Sequence, residues 1–331
     1  MADTDLTPQP FDLSKARVCA ILNGGSGKQK SDDLAALLDR ELGPYCGTWD
    51  LRQTKRGRDI PVIARQAVQR GFDLIVAAGG DGTQAAVAGA LAEKDVLMGV
   101  IPGGTFNYFA RDLGVGETPE QAIATLRNAR LQSISVGRIG RTVFLNNVSF
   151  GAYPQILKTR ESIYRRWGRS RVAAYWSVLK TLVNLRNPMS VSLNTPQGTK
   201  THRSTLIFVA KSAYQLDNFG LAGAEAVRAG HFAVFIARAS RPAPLIMAAV
   251  RLAVGKSRDD DFDMIIADEM VIETTPARQL VAHDGEKTKM RGPFDLQVLK
   301  GGLTVLVPVE SETARGSAVT DPPKDDPDAP A

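Results

Sequence analysis

Residues 79–83 read Gly-Gly-Asp-Gly-Thr, directly after the apolar run 74–78 and directly before the helix-like stretch 84–94. A strand that ends in a glycine turn and opens a helix lets backbone N–H groups approach a phosphate, and the helix N-terminus favours its negative charge. Asp81 sets a carboxylate where a hydroxyl proton or a hydrated Mg²⁺ could be handled. Taken alone, the motif reads equally well as a tight strand-to-helix turn. Two further loops of the same chemistry shift that balance. Asn23-Gly24-Gly25-Ser26-Gly27-Lys28 follows the apolar run 18–22, without the spacing of a P-loop. Pro102-Gly103-Gly104-Thr105-Phe106-Asn107 follows the run 97–101. Three glycine loops at the carboxyl ends of three strands describe one crevice, where open α/β sheets bind ligands. Such a crevice suits a nucleotide.

The elements that must position these loops are legible as alternating periods. Leu34, Leu37, Leu38 and Leu42 form an apolar stripe with Ser31 as its cap and Gly43-Pro44 as its stop. Asp59 and Pro61 open a second helix, with Ile63, Ala64, Ala67 and Val68 facing inward and Gly71 ending it. Thr118-Pro119-Glu120-Gln121 carries the capping-box pattern, which predicts a helix to about residue 130. Strands alternating with helices over 17–112 argue for a parallel sheet with helices on both faces.

From about residue 133 the pattern turns to strands, at 134–139, 143–149, 189–193, 204–211, 232–237, 262–274, 278–283 and 294–309. Turn-like segments such as Thr195-Pro196-Gln197-Gly198 join several of them. The economical reading is a second, largely antiparallel domain. The chain thus divides into an α/β domain at 15–133, completed by strands near 300–310, and a β-rich domain at 134–298. A tail at 311–331, rich in Pro, Asp, Ser and Ala, reads as disordered.

At 331 residues, 44% hydrophobic and 23% charged, the composition is that of a globular protein of about two domains. Cys19 and Cys46 cannot build a disulfide framework and read as buried thiols in a reducing compartment. No signal peptide or membrane span is expected, and a cytoplasmic protein is.

In order and at family spacing, these motifs resemble the bacterial lipid kinases of the diacylglycerol kinase catalytic-domain superfamily, relatives of sphingosine and ceramide kinases. Asn23 to Gly27 is similar to an Asn-Pro-x-Ser-Gly loop, with Gly24 in place of proline. Gly79 to Thr83 matches Gly-Gly-Asp-Gly-Thr, and Pro102 to Ala110 is similar to Pro-x-Gly-Thr-x-Asn-x-x-Ala. Asn146 to Gly151 resembles the step into the second domain, and Asp284-Gly285-Glu286 resembles an Asp-Gly-Glu near the end. The resemblance spans about residues 17–309.

It implies an N-terminal three-layer α/β domain like those of phosphofructokinase and NAD kinase, plus a C-terminal mainly antiparallel β domain. It also implies transfer of the γ-phosphoryl of ATP to the hydroxyl of diacylglycerol or a related lipid alcohol. ATP would sit on Asn23, Gly24, Gly25, Ser26 and Gly27, on Thr54, on Gly79, Gly80, Asp81, Gly82, Thr83, Gln84 and Ala85, and on Thr105. Glu286 would act as general base, and Asp81 would organise Mg²⁺ and phosphate; the reverse assignment is chemically sound. The family's acid in the strand after the first domain corresponds to Ser135. Its Asp-Gly turn, which helps hold a structural Mg²⁺, corresponds to Ala229-Gly230. Neither position carries a carboxylate, so that structural ion is not expected here. An NAD kinase-like enzyme, or a nucleotide-binding regulator without catalysis, are the alternative readings.

Residues 158–186 hold Lys158, Arg160, Arg165, Arg166, Arg169, Arg171, Lys180 and Arg186 against Glu161, a net charge of +7 in a chain of +6. Tyr164, Trp167, Tyr175 and Trp176 are interleaved with them. Aromatics with arginine suit a membrane surface carrying anionic lipid, where a lipid kinase meets its substrate. The same pattern fits a solvated basic face over core aromatics. No nucleic-acid motif accompanies the charge, and no nucleic-acid partner is expected. A homodimer is left open.

Overall fold

The computed structural model describes residues 11–24, 28–152, 154, 188–196, 198–238, 247, 251 and 261–309. Strand and helix alternate through the first third: β1 (Arg17–Asn23), α1 (Lys28–Glu41), β2 (Thr48–Thr54), α2 (Ile60–Gln69), β3 (Leu74–Gly79), α3 (Asp81–Leu91) and β4 (Leu97–Pro102). Two helices follow, α4 (Tyr108–Asp112) and α5 (Pro119–Arg127). β1 to β4 pair in parallel in the order β2-β1-β3-β4. All six residues of β3 are buried, as a strand covered by helices on both faces requires. Thr118 caps α5 in the expected capping box with Gln121, worth about 1 kcal/mol. Gly71, at φ 72°, follows the end of α2.

The remaining elements are β5 (Ala129–Ile139), β6 (Thr142–Phe144), β7 (Asn147–Gly151), β8 (Met189–Thr195), β9 (Gly198–Ser204), β10 (Leu206–Ala210), α6 (Ala213–Asn218) and α7 (Ala224–Arg228). After these come β11 (Phe232–Ala237), β12 (Phe262–Ala267), β13 (Glu269–Thr275), β14 (Arg278–His283), β15 (Glu286–Arg291) and β16 (Phe294–Pro308). A six-stranded antiparallel sheet runs β12-β11-β10-β7-β14-β15. The larger sheet runs β2-β1-β3-β4-β16-β13-β8-β9, with β5 on β16 and β6 on β5. β16 joins the two architectures. Thr304 and Val305 pair in parallel with β4, whereas residues 294–297 pair antiparallel with β13. The fold is therefore a parallel α/β layer followed by antiparallel sheets. One core lies under the helices of the first part. A second core lies between facing sheets, with Val148, Phe150, Ile207 and Val234 against Val191, Ile272 and Leu296.

Several boundaries differ from the sequence reading, each for a tertiary reason. α5 stops at Arg127, and 129–133 extend β5 because residues 304–308 supply a partner strand. The stretch 262–274 splits at Asp268, since β12 pairs with β11 in one sheet and β13 with β8 and β16 in the other. The expected strands 143–149 and 204–211 likewise divide into β6 and β7, and into β9 and β10. Ser31 lies inside α1 instead of capping it, and its buried hydroxyl accepts from Gln53 Nε2 at 2.6 Å. β15, α6 and α7 carry no strong apolar period and were not foreseen. Cys19 is a buried free thiol, but Cys46 is only half-buried. Burial pushes both thiols up to about 11. Among the described residues no helix is long and apolar enough to cross a membrane. The basic aromatic stretch 158–186 and the tail 311–331 lie outside the described residues, as do most of residues 239–260.

Candidate active site between the two sheets

Parallel pairing sets the carboxyl ends of β1, β3 and β4 side by side, so the glycine loops after β3 and β4 meet beside Asn23 and Gly24. The Gly103 N–H donates to the Gly79 carbonyl at 3.1 Å. A Cβ on Gly104 would stand 2.7 Å from the Gly80 Cα, so the two loops pack backbone against backbone and exclude any side chain there. Asn107, in the left-handed region at φ 51°, clamps this contact. Its Oδ1 accepts from Gly104 N at 2.8 Å, and its Nδ2 donates to Gly104 O at 3.0 Å. The first loop is tied in by Asn23 Nδ2, which donates to Thr83 Oγ1 at 3.1 Å.

The anticipated nucleotide residues separate into two roles. Thr83 and Gln84 are buried and hold the turn. The Thr83 side chain packs on Gly79, and Gln84 Nε2 donates to the Gly79 carbonyl at 3.0 Å. Gly82 and Thr105 are exposed, while Gly80, Asp81, Ala85 and Gly24 are half-buried. Thr54 sits opposite Asn23 in the β1–β2 register, but its hydroxyl accepts from Arg56 N at 3.2 Å within its own turn. Gly25, Ser26 and Gly27 lie outside the described residues.

The acids come from opposite sides of the junction. Asp81 opens α3, and its Oδ1 accepts from Phe109 N and from Asn146 Nδ2, each at 3.3 Å. Asp284 and Gly285, at φ 44° and 83°, form the two-residue turn between β14 and β15, the positive-φ pair that an Asp-Gly hairpin supplies. The Asp284 carboxylate is buried and accepts from three backbone amides: Leu145 N at 2.8 Å, Asn146 N at 2.7 Å and Asn147 N at 3.2 Å. Burial pushes this carboxyl up to about 6; the three amides oppose the shift and the Asp81 charge adds to it. The turn is thereby fixed to the entry of β7. Glu286, next in the chain and exposed, brings Oε1 to 3.9 Å from where a Cβ on Gly82 would stand. His283 is half-buried with Nε2 3.3 Å from Thr288 Oγ1, and burial pushes its pKa down.

Beside these groups lies a cleft of about 570 Å³ reaching from Asp81 and Thr105 to Asn146 and Gly285. Its wall is aromatic. The Phe106 and Tyr108 rings stack at 5.5 Å, and Tyr214 lies 6.2 Å from Tyr108. Arg111 covers the Tyr214 ring and donates to its hydroxyl at 2.7 Å. Asp112 locks α4 to α6, accepting from Tyr214 N at 2.7 Å and from the Ser212 hydroxyl; burial pushes it up to about 6. Neither Asp284 as an anchor nor the Tyr214–Arg111 wall was read from the sequence. The signal was present only as an aspartate preceding glycine and as scattered aromatics. Among the described residues, no group of three or more His, Cys, Asp and Glu side chains gathers to hold a metal. Asp81 instead offers one carboxylate at a helix N-terminus, a donor set suited to a hydrated cation completed by phosphate oxygens.

Residues 17–139 match the model of the diacylglycerol kinase catalytic domain. Over 150 residues the chain is 31% identical to a Chromohalobacter salexigens protein named Probable lipid kinase YegS-like, covering 44% of this chain and 47% of that one. Over 101 residues it is 40% identical to a Bacillus subtilis diacylglycerol kinase, covering 30% and 33%. The chain thus spans about half the length, or less, of these curated relatives. The crystal structure of a diacylglycerol kinase from Bacillus anthracis str. Sterne superposes with a TM-score of 0.68 over 88% of this chain and 97% of that one, at 20% identity. At that identity the likeness speaks to the fold alone.

Proposed function

We propose, from the match of residues 17–139 to the diacylglycerol kinase catalytic-domain model, that this protein is an ATP-dependent lipid kinase. It transfers the γ-phosphoryl group to the hydroxyl of diacylglycerol or a related lipid alcohol. The carrying observation is Glu286 Oε1 facing the Gly82 turn across the junction, beside an aromatic cleft with room for an acceptor. Phosphoryl transfer asks mainly for positioning and charge neutralisation. The glycine turn and the α3 N-terminus cradle the phosphates. Glu286 takes the acceptor's proton as its oxygen bonds to the γ-phosphorus and the bond to the β–γ bridging oxygen breaks, releasing ADP. Asp81 would hold the hydrated Mg²⁺ that accompanies ATP, and that ion would supply neutralisation of the phosphate charge. Phe106, Tyr108 and Tyr214 line the path for the apolar part of the acceptor.

The basic aromatic stretch 158–186 docks the enzyme peripherally on anionic bilayers in this reading, supported by its charge and its aromatics. Replacing Arg165, Arg166 and Arg169 with Gln then cuts sedimentation with anionic vesicles at low salt by roughly tenfold or more. Labelled ATP offered with diacylglycerol, phosphatidylglycerol and a sphingoid base tests the central claim. Label in a lipid product, lost in Glu286→Gln, supports it; ATP binding with no transfer to any lipid overturns it.

A further inference from the structure

The fold-family resemblance implies a structural divalent cation at a second place, where β5 meets the turn after α7. The structure does bring these segments together. Ser135 Oγ donates to the Gly230 carbonyl at 3.4 Å, and a Cβ on Gly230 would come within 3.1 Å of that oxygen. The donor set does not fit a divalent ion. Ser135 offers a neutral hydroxyl, and Ala229 offers a methyl group. Between them arrives a third group from the end of β10: Lys211 Nζ donates to Ser135 Oγ at 3.1 Å. Its side chain is buried, with 8% of the residue exposed. Hard divalent cations take oxygen ligands, usually with carboxylates among them, and a neighbouring ammonium repels them.

We propose that the Lys211 ammonium is a built-in replacement for a structural divalent cation, so that this junction is held by a tethered charge and not by an exchangeable ion. The missing carboxylates at Ser135 and Ala229 and the ammonium of Lys211 then make sense as one arrangement. With no carboxylate at 135 or 229 the pocket offers a divalent ion no counter-charge, and a single ammonium stands there instead. Burial pushes the ammonium down to about 8, while Asp112 and Asp268 oppose the shift from farther away. It therefore stays largely protonated at neutral pH.

The position has a consequence for the active site. The backbone N–H groups of Lys211 and Ser212 both donate to the Asn146 carbonyl, at 2.8 and 3.1 Å. The Asn146 side chain in turn donates to Asp81. The residue that carries the tethered charge thus itself makes one of the bonds that hold Asn146 beside the phosphate turn, and no free ion is needed to keep it there.

Thermal unfolding of the full chain without nucleotide, in chelator and in millimolar Mg²⁺, tests this directly. Wild type is expected to unfold at the same temperature in both. Lys211→Met should unfold roughly 3–8 °C lower, with no recovery in Mg²⁺. The triple variant Ser135→Asp, Ala229→Asp, Lys211→Asn should regain that loss only when Mg²⁺ is present. It should also bind one more Mn²⁺ than wild type by electron paramagnetic resonance. A Mg²⁺-dependent rise in wild type that survives Asp81→Asn but vanishes in Ser135→Ala overturns the proposal. So does a Lys211→Met protein as stable as wild type. Should Lys211→Met fail to fold, the wild-type comparison still decides, since it needs no variant in which the lysine is lost.

Discussion

The two sides of the cleft are built by different means. On the phosphate side, the turns after β3 and β4 are shaped by residues within a few positions of one another, Gly79 with Thr83 and Gly104 with Asn107. On the opposite side, the acidic turn is placed by Asp284, whose amide donors are 137 to 139 residues away in sequence. A local device can be read from a motif; a long-range one needs the folded chain. The two sides also divide the labour. Changes to the glycine loops should act on nucleotide binding, and changes to the hairpin should act on turnover.

The sharpest test of that division is Glu286→Gln. It removes the proposed proton acceptor and leaves the residues of the phosphate loops unchanged, so turnover should fall by roughly 10²–10⁴-fold. Nucleotide titration and melting temperature should stay as in wild type. Turnover close to wild type would hand the base role to Asp81 and collapse the distinction between the sides.

Gly104→Ala breaks the other side. Its Cβ would meet the Gly80 backbone at 2.7 Å, and forcing a methyl into such a contact costs roughly 1–3 kcal/mol. ATP affinity should weaken by about tenfold or more, while turnover at saturating ATP stays within a few-fold of wild type. Asp81→Asn falls where the sides meet, since Asn146 of the far side donates to it. Losing this charge should weaken nucleotide binding in Mg²⁺ and leave binding in chelator nearly unchanged. Equal weakening in both would remove Asp81 from the metal.

The same contrast explains what was legible in the sequence. The parallel layer could be read because β1, β3 and β4 are apolar runs closed by glycine loops, α1 and α2 carry apolar stripes, and α5 carries its capping box. The convergence of the carboxyl ends of β1, β3 and β4 followed from topology alone. The second half was read more coarsely. Residues 262–274 look like one strand, yet their halves serve different sheets, and only the partners β11 and β8 decide where the break at Asp268 falls. β15 reads Glu-Lys-Thr-Lys-Met-Arg, a polar edge without an apolar period, and is a strand because β14 supplies its ladder. At the site, Asp81 and Glu286 were visible as motif residues. Thr83 and Gln84 were expected to meet the nucleotide, but their side chains turned out to be buried braces of the turn. Lys211 carried no signal at all, because a lysine after an apolar strand reads as a solvated end until the pocket around it is seen.

The smallest expected effect separates the anchor from the proposed base beside it. Asp284 holds its proton up to about pH 6 in the folded protein, against an ordinary value of 3.8, chiefly because the carboxyl is buried. Between those values the folded state binds more protons than the unfolded chain, so stability must fall as pH rises. The contribution is fully present below about 3.8 and is lost as pH passes through about 6, at a slope approaching 1.4 kcal/mol per pH unit for one group. Asp112, also pushed up to about 6 by burial, adds a second group to the same window. Asp284→Asn removes one of the two, so denaturant midpoints measured from about pH 4 to 7 should show a slope reduced by roughly half. It also turns a donor toward one of three amides that need acceptors, which should lower stability by about 1–3 kcal/mol at neutral pH. Turnover should fall with it, because the hairpin carrying Glu286 loosens, yet ATP affinity should hold, because the glycine loops do not depend on this anchor. An unchanged pH slope in Asp284→Asn would assign the window to Asp112 alone. ATP affinity falling in step with turnover would mean that the two sides of the cleft are one cooperative unit after all.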